Sequence, residues 1–362
     1  MGPDVAPPSR PLRVIQWATG TVGRHAVEAI TGLDGFELVG ARVYSPDKDG
    51  RDVGEICGLE PLGVKATTDV HAIAALDADC VVYAAQGEMD PAGVLDDICR
   101  LLESGKNVVS TALTGLIFPA SMGAEVADRL TASCVAGGTS FHATGIEPGW
   151  AAEVLPLTLS GLSRRIDSVR VQELMDYSTY ASSDMLIDIM GFGQPPDTDV
   201  PMADASLVGG TFKGPILLLA AGLGVEIEDF RYERQVATAD VAFDVAAGRI
   251  EAGTVSAQRF GYTGLISGKP VITIEHITRL GEAEAPDWPR GRGWRVEIEG
   301  APSMTMEVTI AVHGEDETDQ GCLGTAMHAV HAIAPVCAAE PGIVTFLELP
   351  MIIGRGTVVA AS

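Results

Sequence analysis

Paired cysteines are missing from this chain. Its six, Cys57, Cys80, Cys99, Cys134, Cys322 and Cys337, form no C-x-x-C pair, and no cysteine or histidine cluster has zinc-ligand spacing, so no metal site is expected. Most of them sit among apolar neighbours, which reads as reduced, buried thiols in a reducing compartment. Basic charge is scarce as well. Lys and Arg number 24 against 49 Asp and Glu, a net charge of -25 that disfavours nucleic acid and anionic membranes as partners. No hydrophobic run is long enough to span a bilayer. The longest, 216–225, is short and broken by glycine. The opening residues 1–11 are rich in proline and polar residues and lack the apolar core of a signal peptide, so a cytoplasmic protein is expected.

What remains is an ordinary globular composition, 46% hydrophobic and 20% charged, in a chain of 362 residues. That length suits about two domains and a sizeable core. The most informative stretch is residues 13–25. It begins as an apolar strand, turns through Ala18, Thr19, Gly20, Thr21, Val22 and Gly23, and continues as a helix through Ala26, Val27 and Ile30. This is a G-x-G-x-x-G dinucleotide turn with alanine in the first glycine's place. Gly20 lets backbone N–H groups approach a pyrophosphate, Gly23 lets the helix pack close to the strand, and the helix N-terminus adds partial positive charge. A second strand, 36–44, ends without the acid that binds the ribose of NAD. Ser45 and Lys48 follow, with Arg42 and Arg51 nearby, a set that suits the 2′-phosphate of NADP. Asp47 and Asp49 in the same loop keep NAD open.

Strands alternating with helices continue to about residue 145 and imply a doubly wound parallel sheet of the Rossmann type. The rhythm then changes. Strands at 231–241, 254–265, 270–280, 294–298 and 304–312 arrive without helices between them, which points to an α+β substrate domain with a largely antiparallel, open sheet. A final apolar helix, 321–339, is expected to pack back onto the first domain. The expected boundaries are 1–146 with 318–362 for the dinucleotide domain and 147–317 for the substrate domain.

Ligands of such sheets gather at the carboxyl ends of the strands. Three ends carry candidates. Ala85 and Gln86 either line the nicotinamide ribose or form an ordinary β-α loop, and Ser110 and Thr111, open to the same two readings, offer hydroxyls near the same ring. His142 titrates near neutrality and can supply a proton. Glu147 can anchor a substrate ammonium, act as an acid or base, or simply match a helix dipole. Beyond the boundary, Tyr177 and Tyr180 can donate to a carbonyl oxygen or wall an apolar substrate, or can be core aromatics. His328 and His331 share a helix face and, with no further metal ligands apparent, read as buried, hydrogen-bonded histidines.

Taken in order, Gln16 to Gly23, Gly105 to Thr111, Gly145 to Gly149, Asp176 to Tyr180, Met190 to Gly193 and the stretch 326–355 resemble the dihydrodipicolinate-reductase-like superfamily. They are most similar to actinobacterial relatives of 2,4-diaminopentanoate dehydrogenase and the native amine dehydrogenases. The resemblance implies a Rossmann domain binding NAD(P)H, hydride transfer to a C=O or C=N carbon, a C-terminal helix that recrosses to the first domain, and a homodimer. It also exposes two departures. The His-His segment and lysine of dihydrodipicolinate reductases have no counterpart here. The glutamate that follows Ser-Thr in amine dehydrogenases is absent, because Ser110-Thr111 leads into Ala112-Leu113-Thr114-Gly115. The expectation is therefore an NADP-preferring oxidoreductase for a small to medium, partly apolar substrate. The competing reading is a non-catalytic NADP-binding redox sensor or regulatory protein.

Overall fold

The structure, a computed structural model, describes residues 10–87 and 90–359. The reading of the chain's first nine residues lies outside them. The described chain divides into two compact units, one running to Trp150 and resuming at Gly321, the other from Ala151 to Gln320.

The first unit is built on a seven-stranded sheet, all of whose pairs are parallel. Its strands are β1 (Leu12–Trp17), β2 (Phe36–Arg42), β3 (Ala66–Thr67), β4 (Cys80–Tyr83), β5 (Asn107–Ser110) and β6 (Ser140–Ala143), with a last short strand, Gly342–Ile343, beside β6. The spatial order is β3-β2-β1-β4-β5-β6, so the winding direction reverses between β1 and β4. Both faces are covered, and the central strands are accordingly apolar throughout; all four residues of β4 are buried. Alternation sorts the side chains. Val14 points into a core with Ala26, Val27 and Ile30 of helix α1 (Thr21–Gly32) and with Ala326, Val330 and Ile333 of the C-terminal helix Glu317–Cys337. Ile15 points the other way, into a core with Ile98, Leu101 and Leu102 of helix Pro91–Glu103 and Leu130 of helix Ala124–Gly137. Strand β2 stops at Arg42, two residues before the expected end. The strand Gly342–Ile343 is too short to show a period in the sequence.

The second unit carries a six-stranded sheet. Its strands are β7 (Arg165–Asp176), β8 (Asp229–Thr238), the hairpin β9 (Phe243–Val245) and β10 (Gly248–Ile250), which stands apart, then β11 (Val255–Ile266), β12 (Lys269–Arg279), β13 (Gly293–Ala301) and β14 (Met304–Val308). The order is β14-β13-β7-β12-β11-β8, antiparallel except for the β7–β12 pair. Helices Leu155–Ser160 and Ala205–Leu223 pack on this sheet. Register places Arg170, Gln172, Arg259, Glu275 and Arg295 on one polar face. There the buried Glu275 carboxylate accepts from Gln172 (2.7 Å) and Arg170 (3.3 Å) and pairs with Arg259. The alternation read to residue 312 ends earlier, at Val308, and Ala311 then adopts a left-handed φ of 56°. No described helix is long and apolar enough to cross a membrane.

One strained position sits at the heart of the first unit. Ala18 has φ 72°, where an L side chain costs roughly 1–2 kcal/mol. Ala18→Gly relieves that strain but adds freedom to the unfolded chain, for a net gain of roughly 0.5–1 kcal/mol. A raised urea midpoint for the variant is the expected outcome; an unchanged or lowered one would show that the turn is not strained.

Candidate active site

The site begins where the parallel strands end. Ala18 N–H donates to Arg42 O (2.9 Å), Ala84 N–H to Trp17 O (3.0 Å), Thr111 N–H to Tyr83 O (2.9 Å) and Thr144 N–H to Ser110 O (2.9 Å). The ladder thus extends one residue beyond β1, β4, β5 and β6 and lines up four loop starts along one edge. This edge includes the β1/β4 switch point, the usual place for a nucleotide in such sheets.

The turn after β1 is held from inside. The buried Gln16 amide donates to Ala18 O (2.9 Å) and Trp17 O (3.2 Å). A Cβ on Gly23 would come within 2.1 Å of Ala18 O, so only glycine lets α1 approach this closely. A Cβ on Gly20 would meet nothing within 4 Å. Gly20 is the N-cap of α1, no side chain caps it, and the first turn, which holds Thr21 and Val22, contains no acid. The open space above Gly20 and the uncapped helix start fit a phosphate group. Lys48 Nζ reaches to 3.4 Å from Thr19 Oγ1, over the same turn.

Beyond β2 the acids are occupied. Asp49 accepts from Thr68 N (2.6 Å) and Oγ1 (3.0 Å), which hold its carboxyl below the ordinary range. Asp52 accepts from the backbone of Gly54, Leu62 and Gly63 at 2.8–2.9 Å. Asp47 accepts from Ser45 Oγ. Arg42 lies over the rings of Tyr44 (4.7 Å) and Trp17 (5.8 Å), while Trp17 Nε1 donates to Tyr44 and stacks on Tyr83 at 5.2 Å. The Nε and one terminal nitrogen of Arg42 are buried and meet no hydrogen-bond partner among the described residues.

A small, partly open pocket of about 60 Å³ lies at the ends of β5 and β6. It is lined by Ser110, Thr111, Ala112, Leu113, Thr114, Ile117, Ala143, Thr144, Gly145, Glu147, Pro148 and Thr325. Three of the sequence candidates meet here: Ser110, Thr111 and Glu147. The buried Ser110 hydroxyl is turned to its own loop, accepting from Ala112 N (3.1 Å) and donating to Ala112 O (3.3 Å). Among the described residues, Glu147 is the only ionisable side chain of the lining. Ala85 is buried in the core beside β4, and Gln86 next to it is exposed.

His142 is not among the lining residues. It is buried on β6, its Nδ1–H donates to Val344 O (2.8 Å), and burial pushes its pKa down to about 4. It is neutral at pH 7 and holds no exchangeable charge there. Tyr177 and Tyr180 belong to the second unit, with ring centroids 5.4 Å apart, packed against Leu186, Phe192 and Leu280. Two pairings were not legible in the sequence. Thr144 Oγ1 lies 2.7 Å from His328 Nδ1, and within the second unit Glu173 pairs with His276 at 3.3 Å. His328 was visible as a helix-face histidine, but its partner is 184 residues away. Burial lowers the pKa of His331 too.

Comparison with known proteins adds the family. The model of the dihydrodipicolinate reductase N-terminus matches residues 14–116, and that of the 2,4-diaminopentanoate dehydrogenase C-terminal domain matches residues 151–358. The chain belongs to the 2,4-diaminopentanoate dehydrogenase family. An amine dehydrogenase of Streptomyces virginiae is 38% identical over 347 residues, covering 94% of this chain and 96% of that one. The 2,4-diaminopentanoate dehydrogenase of Acetoanaerobium sticklandii is 23% identical over 259 residues, 71% of this chain and 70% of its own length. Among solved structures, the amine dehydrogenase from Mycobacterium smegmatis shares the fold, with a TM-score of 0.78 at 21% identity over 98% of this chain and 100% of that one. The family member described here is an NAD(P)-dependent oxidoreductase acting on a small molecule. The resemblance read from the motifs and the two-part fold class both hold.

Neutral, buried His142 ties stability to pH. Below about pH 6.5 the unfolded chain takes up a proton at this ring that the folded chain refuses until about pH 4. The unfolded state then binds more protons, so this contribution is complete above pH 6.5 and is lost as pH falls, by ~3 kcal/mol near pH 4. Urea unfolding between pH 7 and pH 4 is expected to show a steeper loss for the wild type than for His142→Asn. Parallel slopes would mean that the ring titrates freely in the folded protein.

Proposed function

We propose that this chain is an NADPH-dependent oxidoreductase that interconverts a C=O or C=N carbon and the matching alcohol or amine, with Glu147 as its working carboxylate. The observation that carries the reading is the pocket at the ends of β5 and β6. Its apolar lining, with Ala112, Leu113, Ile117, Ala143 and Pro148, suits a small to medium, partly apolar substrate, and Glu147 is its one acid among the described residues. Ala112, Leu113 and Thr114, of the loop that lacks the glutamate of amine dehydrogenases, line the same pocket. A carboxylate therefore enters from the end of β6 instead. Ionised, it can pair with an ammonium group; protonated, it can give the heteroatom its proton. A dinucleotide held by Thr19 to Gly23 would supply the hydride for the carbon, and the heteroatom would gain one proton.

Several features support NADPH over NADH. Asp49 and Asp52 are engaged by backbone donors elsewhere and Asp47 by Ser45, while Lys48 and Arg42 stand near the end of β2. In this reading Thr19 to Gly23 hold the pyrophosphate, Ser45 and Lys48 the 2′-phosphate, and Ala85, Gln86, Ser110 and Thr111 border the nicotinamide half. His142 fixes the end of β6 through Val344. The protein is taken to work in the cytoplasm as a homodimer.

Two measurements test the reading. Glu147→Gln keeps the shape but removes the charge, and is expected to lower kcat by about 10²-fold or more with NADPH binding unchanged. Turnover within a few-fold of the wild type would remove Glu147 from the chemistry. Lys48→Ala is expected to weaken NADPH binding about tenfold, the ~1.4 kcal/mol scale of a charge-assisted contact, and to leave NADH binding nearly unaltered. Equal losses for both dinucleotides would place Lys48 at the pyrophosphate alone.

A further inference from the structure

We propose that Thr144 is a catalytic hydrogen-bond donor to the substrate's heteroatom, and that His328 is the positioning residue that sets the direction of its O–H bond. The inference deepens the reading of the pocket given above and rests on it.

Thr144 follows β6, is buried, and lines the pocket. Its Oγ1 is 2.7 Å from His328 Nδ1. His328 lies on the C-terminal helix one turn beyond Thr325, which lines the same pocket and accepts from Ile146 N at 3.3 Å. A hydroxyl and a neutral imidazole can share one hydrogen in either sense, and the rest of the ring decides which. His328 Nε2 is buried and meets no hydrogen-bond partner among the described residues. A buried N–H with no acceptor is rarer and costlier than a buried lone pair, so the ring hydrogen belongs on Nδ1. Burial, with His142 and His331 nearby, pushes the His328 pKa down to about 3, so the ring is neutral under working conditions.

With that tautomer, Nδ1–H donates to Thr144 Oγ1. The threonine's own hydrogen must then point to a different acceptor, and the pocket is the place where a substrate carbonyl oxygen or imine nitrogen would lie. The ring cannot swing away freely. Phe346 packs against it with centroids 5.6 Å apart and meets His142 edge-on at 4.9 Å, while His142 is itself tethered to Val344 O. Thr144 keeps its proton throughout. Its hydrogen bond strengthens as negative charge grows on the heteroatom during hydride addition, while the proton that finally lands there comes from the carboxyl of Glu147.

The test uses the full chain with NADPH and a carbonyl substrate drawn from a panel of ketones and aldehydes, with and without ammonia. Thr144→Val is expected to lower kcat by about 10²-fold with the Kd for NADPH within about twofold, and Thr144→Ser to stay within about threefold of the wild type. His328→Leu is expected to lose about tenfold in kcat, and His328→Asn, whose amide N–H can take the place of Nδ1–H, to recover most of it. NADPH binding reports that each variant is folded; should Thr144→Val fail to bind, Thr144→Ala carries the same comparison. The proposal is overturned if the valine or alanine variant turns over within threefold of the wild type, if serine is no better than valine, or if asparagine is no better than leucine at 328. A wild type that binds NADPH but oxidises it with no member of the panel overturns the functional reading itself.

Discussion

The first unit depends on how closely helix α1 can approach the end of β1. The distance is set by a single missing side chain, since any Cβ on Gly23 would strike the Ala18 carbonyl at 2.1 Å. Gln16, buried under the turn, donates to that same carbonyl and holds it in place. With the helix so close, its uncapped N-terminus faces open space above Gly20, and the partial positive charge of α1 is available to an anion. Ala18 bears the strain of this arrangement in a left-handed conformation that glycine would adopt without cost.

A second constraint gathers the remaining groups. Because all strands of the first sheet are parallel, their carboxyl ends fall on one edge, and the hydrogen bonds that continue past β1, β4, β5 and β6 keep Ala18, Ala84, Thr111 and Thr144 in step. The C-terminal helix completes this edge. Its apolar residues Ala326, Val330 and Ile333 bury against β1 and α1, and that burial carries Thr325 and His328 to the end of β6. The apolar stripe and the polar pair are thus two consequences of one packing event. The second unit follows a different logic. Its sheet keeps helices on one face and a network centred on buried Glu275 on the other, where three side-chain donors satisfy one carboxylate.

Much of this architecture was legible from residues close together in the chain. The strand, turn and helix of residues 13–30 were readable because each signal is local: an apolar run, glycines at fixed spacing, then helical periodicity. The alternation of strands and helices likewise announced the parallel sheet, and the run of strands after residue 230 the second sheet. Boundaries were less legible where tertiary hydrogen bonds decide them. The alternation of Met304 to Val312 promised a longer strand than the one that ends at Val308, because pattern does not reveal where a partner strand stops. The short strand Gly342–Ile343 exists only because β6 offers it an edge.

The sequence by itself determined the strand, turn and helix of residues 13–30, the two-part fold class and the family, because these are written in neighbouring residues and in the order of motifs. Only the tertiary structure decided what surrounds each side chain. It buried His142 against Val344 and thereby removed its charge, occupied Asp49 and Asp52 with backbone donors, and turned Ser110 towards its own loop. It also set Thr144 beside His328 and brought Glu147 into the pocket lined by the loop at Ala112. The physical reason is the same in each case. The chemistry of a polar group is fixed by its desolvation and its hydrogen-bond partners, and here those partners come from residues far away along the chain.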